Sequence, residues 1–71
     1  MRFLVVIEEG PESYGAYVPD LPGCVAVGTT REETLALMQE AIVFHLEDLK
    51  ARGRPIPAAT SSVETVEVAM A

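Results

Sequence analysis

The residues of this chain whose types could do chemistry are few: one histidine, His45, one cysteine, Cys24, and three adjacent acidic pairs, Glu8-Glu9, Glu32-Glu33 and Glu47-Asp48. A histidine can serve as the base for a nucleophile. No Ser or Cys stands beside His45, however, and it falls in or beside an apolar helical stripe, where an imidazole packs and hydrogen-bonds. Cys24 follows Gly23 at the start of a short apolar run and is expected to act as a small apolar side chain. The acidic pairs could in principle bind magnesium, which takes oxygen ligands. Neighbours on a helix point about 100° apart and do not converge on one ion. Glu32 and Glu33 already have a role in a first helical turn, where acids offset the helix dipole.

Metal-dependent nuclease chemistry needs carboxylates converging from several elements, rigid strand positions included. The centre of the first apolar run is Leu4-Val5-Val6, without an acid. The five glycines are dispersed at 10, 15, 23, 28 and 53, so no phosphate-cradling loop is present. Tyr14 and Tyr17 could stack on bases only with cations beside them, and Lys50, Arg52 and Arg54 at a helix end are the sole basic cluster. No catalytic residue, metal or cofactor is expected.

What must position these residues is a chain of 71 residues, one domain spanning 1–71. At this size only about 60% of the unfolded surface can be buried, so the core needs a supplement. A single cysteine makes no intrachain disulfide, and one Cys with one His falls short of a structural zinc site. Oligomerisation remains. The net charge of −6 disfavours phosphate-dominated binding to nucleic acid and favours a basic protein partner. An apolar fraction of 49% is too high for a disordered acidic tail. The opening apolar run is too short for a signal peptide or membrane span, which places the protein in the cytoplasm. The chain has no Asn and only Gln39 as a side-chain amide, a composition suited to a heat-adapted host.

Residues 2–8 are dense in β-branched and aromatic side chains on both faces, as in a strand at the middle of a sheet. Turn residues at 9–13 precede a second strand at 14–18, with Tyr14, Ala16 and Val18 on one face and Gly15 and Tyr17 on the other. Pro19 and Pro22 end it, and 24–28 forms a third strand. The period then changes to that of a helix, capped by Thr30 with Glu33 reaching back. Leu35, Met38, Ile42, Leu46 and Leu49 make its core stripe, and Gly53 is the left-handed cap after Arg52. Residues 58–62 connect to a fourth strand at 63–70, with Val66, Val68 and Met70 on one face.

The expected fold is α+β, in the order β-β-β-α-β, with a four-stranded mixed sheet ordered 3-2-1-4 and the helix on one face. Leu37, Ala41 and Phe44 fall off the core stripe, and Leu4 and Val6 lie on the sheet face that no element covers. These five residues are the candidate oligomer interface, whether of a homodimer or a higher assembly.

The segment Tyr14-Gly15-Ala16-Tyr17-Val18-Pro19-Asp20-Leu21-Pro22-Gly23-Cys24, with Gly28, Thr30, Glu32-Glu33, Gln39-Glu40-Ala41-Ile42 and Pro55-Ile56-Pro57, resembles the HicB-like antitoxin family over nearly the whole chain. The resemblance is to a compact member. It implies a partial ribonuclease-H-like fold without the nuclease site. It also implies neutralisation of a small basic toxin of the HicA type, a ribonuclease that cleaves messenger RNA with a histidine. Tyr17 and the loop Pro19, Asp20, Leu21, Pro22 and Gly23 are the partner-contact candidates carried over. Many members continue into a helix-turn-helix or ribbon-helix-helix domain, and direct operator binding is not expected of these 71 residues.

The first expectation is therefore a non-enzymatic, oligomeric protein that masks a basic ribonuclease toxin. The alternative is a stand-alone oligomeric domain, structural or small-molecule-binding, with no toxin partner. An adjacent reading frame for a short basic protein with a histidine separates the two. A residual ribonuclease would show metal-dependent cleavage of RNA.

Overall fold

A computed structural model describes residues 1–70. Three short strands, β1 (Val6–Glu9), β2 (Tyr14–Tyr17) and β3 (Val25–Gly28), form an antiparallel meander, followed by one helix, α1 (Arg31–Ala51). The register pairs Ile7 with Ala16 and Ala16 with Ala26, so these three share the inner face. Val6, Tyr17 and Val25 form the adjacent row on the outer face. The β1–β2 hairpin closes where the Gly10 N–H donates to the Ser13 carbonyl at 2.8 Å.

The core lies between the inner sheet face, the loop after β2 and the helix. Ala16, Val18, Leu21, Cys24 and Met38 are buried, and Phe3, Val5, Ile7, Ala26, Ala41, Ile42 and Leu46 pack around them. The alternation of odd and even residues from Phe3 to Ile7 therefore has a physical outcome: the odd residues face the core. Helix α1 packs mainly over β3 and β2.

Both ends of α1 are made as the residue types require. The Thr30 side chain accepts from the Glu33 N–H at 3.0 Å. Glu33 returns to the N–H and hydroxyl of Thr29, one residue earlier than expected. At the other end Gly53 N–H donates to Lys50 and Arg54 N–H to Leu49, with Gly53 at φ 67°. This is the doubly bonded left-handed cap that glycine adopts without a Cβ penalty. Met38, Ile42 and Leu46 of the expected stripe face the core, whereas Leu35 is 41% exposed. Thr34 is fully buried instead, its hydroxyl donating to the Thr30 carbonyl at 2.7 Å.

The fourth strand and the sheet order 3-2-1-4 are not present. Among the described residues the sheet has three strands in the order β1-β2-β3, all antiparallel, and the chain is β-β-β-α. The four-stranded mixed sheet expected with a partial ribonuclease-H-like fold is corrected accordingly. Residues 63–70 are exposed throughout, Val66 by 82% and Met70 by 90%. Alternating apolar residues supply β propensity, but a strand exists only where a neighbour takes its backbone hydrogen bonds. This segment meets no neighbour in its own sheet. The radius of gyration of 14.5 Å exceeds the roughly 11 Å of a folded chain this long, as an outlying tail requires.

The first strand is also shorter than expected, hydrogen-bonded from Val6 rather than residue 2, and it is an edge rather than a central strand. The reason lies in β2: the Val18 N–H faces β3 and bonds the Cys24 carbonyl, and the next β2 position that would face β1 is Pro19, which has no N–H to donate. Residues 2–5 run past the end of their partner.

Candidate protein-binding loop

Residues 18–24 reverse the chain through two consecutive turns. The Leu21 N–H donates to the Val18 carbonyl at 3.1 Å, and the Cys24 N–H donates to the Leu21 carbonyl at 3.1 Å. Each proline occupies the second position of its turn, where a fixed φ is suitable and a missing N–H costs nothing. Gly23, at φ 84°, follows Pro22 and completes a type II turn. A third bond, Val18 N–H to the Cys24 carbonyl at 3.2 Å, closes the loop at its base.

This geometry divides the six candidate contact residues. Leu21 is fully buried and acts as the loop's anchor in the core. Asp20 is engaged within the chain: its carboxylate accepts from the Ser61 N–H at 3.1 Å, the Ser61 hydroxyl at 2.9 Å and the Thr60 hydroxyl at 3.2 Å. These bonds stabilise the ionised form, the Ser61 N–H most, and hold the Asp20 carboxyl below the usual range against a weaker opposing effect of desolvation. Pro19, Pro22 and Gly23 are exposed, and Tyr17 is 41% exposed on the outer sheet face.

The outer face holds more than Leu4, Val6 and Tyr17. Val25 and Val27 are 63% and 67% exposed, so an apolar row Val6, Tyr17, Val25 crosses all three strands. The sequence reading left these valines without a face. The signal that would have found them is Ala26 between them, which pairs with the inward Ala16.

A shallow groove of about 580 Å³ joins this region to the helix, lined by Gly23, Cys24 and Val25 on one side and Leu37, Glu40, Ala41, Phe44 and His45 on the other. Phe44 is 74% exposed and Leu37 38%, whereas Ala41 is half-buried against the core. Two groups of residues separate in sequence, the loop and the off-stripe helix positions, thus meet at Gly23–Val25. Leu4 and Val6, by contrast, are half-buried in β1 and the segment leading into it.

The candidates for chemistry stay dispersed. Cys24 is buried, and burial pushes its thiol pKa up, away from the reactive thiolate. Glu8 and Glu9 are exposed at the end of β1, and Asp48 pairs with Arg52 at 3.2 Å. Among the described residues no three His, Cys, Asp or Glu side chains come together as a metal site would require. Nor, among them, is any helix long and apolar enough to cross a membrane. What the arrangement offers is a rigid, apolar, proline-shaped surface on an acidic chain.

Residues 3–70 match the family model described as HicB_like antitoxin of bacterial toxin-antitoxin system. A UPF0150 protein of Helicobacter pylori is 45% identical over 72% of this chain and 71% of its own length. Another, from Thermoplasma acidophilum, is 38% identical over 80% of this chain and 84% of its own. Antitoxin HicB 2 of Photorhabdus laumondii is 34% identical over 90% of this chain but only 49% of its own length, so the chain spans about half of that relative. An uncharacterised 14.9 kDa phage HP1 protein is likewise matched over only 43% of its length. No solved structure matches the chain. The match over nearly all of its residues establishes that this chain belongs to the HicB-like antitoxin family of bacterial toxin–antitoxin systems.

Proposed function

We propose that this protein binds and neutralises a small basic toxin of the HicA type, an mRNA-cleaving ribonuclease, in the cytoplasm and without catalysis of its own. The observation that supports the reading is the exposed apolar surface around Tyr17, Val25 and Phe44, set by the turn at Pro19–Gly23 on a chain of net charge −6. The acidic charge speeds encounter with a basic partner, and apolar contacts set the lifetime of the complex. Tyr17, Pro19, Pro22 and Gly23 make the contacts, while Asp20 and Leu21 hold the loop in shape.

Self-association belongs to the same reading. It uses the off-stripe helix residues Leu37, Ala41 and Phe44, or the sheet side at Leu4 and Val6, and it supplements a small core. A heat-adapted host accords with the amide-poor composition.

The experiment is a low-salt pull-down from the native host with the full chain, followed by co-expression with any short basic protein recovered. Recovery of a small histidine-containing basic protein whose block on translation the chain relieves is the expected result. Enrichment of no such protein overturns the proposal.

A further inference from the structure

Three observations at one side of the molecule concern a single feature. First, β1 pairs with β2 only, so along its other edge the backbone groups of β1 have no strand partner among the described residues. The sheet is open there. Second, a groove of about 450 Å³ runs between the N-terminal segment and α1, lined by Phe3, Val5, Leu35, Ile42, Val43 and Leu46 among others, with no acidic or basic side chain in its wall. This groove explains why Leu35 and Val43 are exposed by 41% and 50% although the first lies on the core stripe. Third, residues 63–70 carry Val66, Val68 and Met70 on alternate positions, exposed by 82%, 72% and 90%. An open strand edge with an apolar groove under it is a template for strand addition.

We infer that the free edge of β1 is the docking site for residues 63–70 of a second copy of this chain, exchanged reciprocally in a two-fold dimer. The two partners match in length when β1 is taken together with the segment 2–5 that leads into it: these eight residues and the eight residues 63–70 each span about 26 Å when extended. They match in pattern, because a strand laid on that edge turns Val66, Val68 and Met70 to one face, over the groove, in a row that begins at Glu64, and Val63, Thr65 and Glu67 to the other. The groove is apolar, as are Val66, Val68 and Met70, and it therefore suits that stretch of the tail better than it suits a basic partner.

The donor is a second copy because the chain's own tail is directed elsewhere. Asp20 holds Thr60 and Ser61 at the loop beyond the end of β2, and the residues after them run out into solvent, giving the molecule its long dimension of 53 Å. A reciprocal exchange covers both tails and both open edges at once and closes without further growth. Each chain keeps its own three-stranded sheet and helix. This inference deepens the self-association part of the proposed function by naming the segment that carries it, and it is independent of any toxin.

Light scattering on the full chain at micromolar concentration is expected to give the mass of two chains. Val66→Asp combined with Val68→Asp is expected to give the mass of one, with the helical circular dichroism unchanged because both side chains lie in solvent within their own chain. Val66→Pro, which removes a ladder N–H, is the second variant should the first fail to fold. Isotope-filtered contacts in a mixture of labelled and unlabelled chains are expected between the Val68 methyls of one copy and the groove residues of the other. A one-chain mass for the native protein overturns both this inference and the self-association reading. A two-chain mass that survives the tail variants but is lost in Phe44→Ser overturns this inference alone. Tail contacts confined to one chain overturn it as well.

Discussion

Gly28, at the end of β3, lies against the first turn of α1 so closely that a Cβ built on it would stand 2.5 Å from the Thr34 hydroxyl oxygen and 3.0 Å from the Thr34 backbone nitrogen. Thr34 is fully buried and its hydroxyl is committed to the Thr30 carbonyl, so it has nowhere to move. Gly28→Ala is expected to destabilise the fold by about 1–3 kcal/mol, the usual cost of overpacking a close contact. Chemical denaturation followed by circular dichroism measures it. An alanine variant as stable as the parent would mean that strand and helix can part without loss.

The helix caps make a second, independent prediction. Thr30→Ala removes the acceptor for the Glu33 N–H and is expected to cost about 1 kcal/mol. Gly53→Ala forces a Cβ into the left-handed region at φ 67° and is expected to cost roughly 1–2 kcal/mol. The two sites lie at opposite ends of a 21-residue helix, so the double variant should show the sum of the single effects in the same denaturation experiment.

The Asp20 latch makes the tail's position depend on pH. Hydrogen bonds from residues 60 and 61 hold the folded pKa below the unfolded one, so their contribution is present above the unfolded carboxylate pKa and is lost as pH falls through the folded value. Hydrogen exchange at the Ser61 amide is therefore expected to lose its protection in Asp20→Ala at neutral pH, and in the parent only once the pH falls below the usual carboxylate range. Core amides such as those of Ala16 and Met38 should keep theirs. Equal protection of Ser61 in parent and variant at neutral pH would show that the latch holds nothing.

For the toxin complex, Tyr17→Ala is expected to weaken binding by about 1–2 kcal/mol, roughly five- to thirty-fold in Kd, without loss of helix signal. Raising the salt concentration should slow association and leave dissociation nearly constant, as expected when exposed charges steer encounter and apolar contacts hold the product. Surface plasmon resonance separates the two rates. A salt effect confined to dissociation would reverse the roles assigned to charge and apolar surface.

Local chemistry read well from the residues, and long-range pairing did not. Thr30, Glu33 and Gly53 announced the helix ends because a cap depends on neighbours within a few positions. The faces of Tyr14, Ala16 and Tyr17 followed from alternation alone. Residues 63–70 show the same alternation and yet form no strand in this sheet, because pairing is decided by what stands beside a segment rather than by the segment. The loop shows a similar division. Its prolines and glycine signalled a rigid reversal, but that Leu21 points wholly inward while Asp20 reaches residues forty positions away could be seen only once the chain was folded.

The burial of Cys24 makes this chain a convenient host for labels. The residue is 4% exposed and its thiol pKa is raised by burial, so maleimides and mild oxidants should pass it by in the native state. A single cysteine introduced at an exposed position such as Val27 or Phe44 would then be the one reactive thiol on the surface. Dyes, spin labels or cross-linkers could be placed on chosen faces without first removing a native residue from the core.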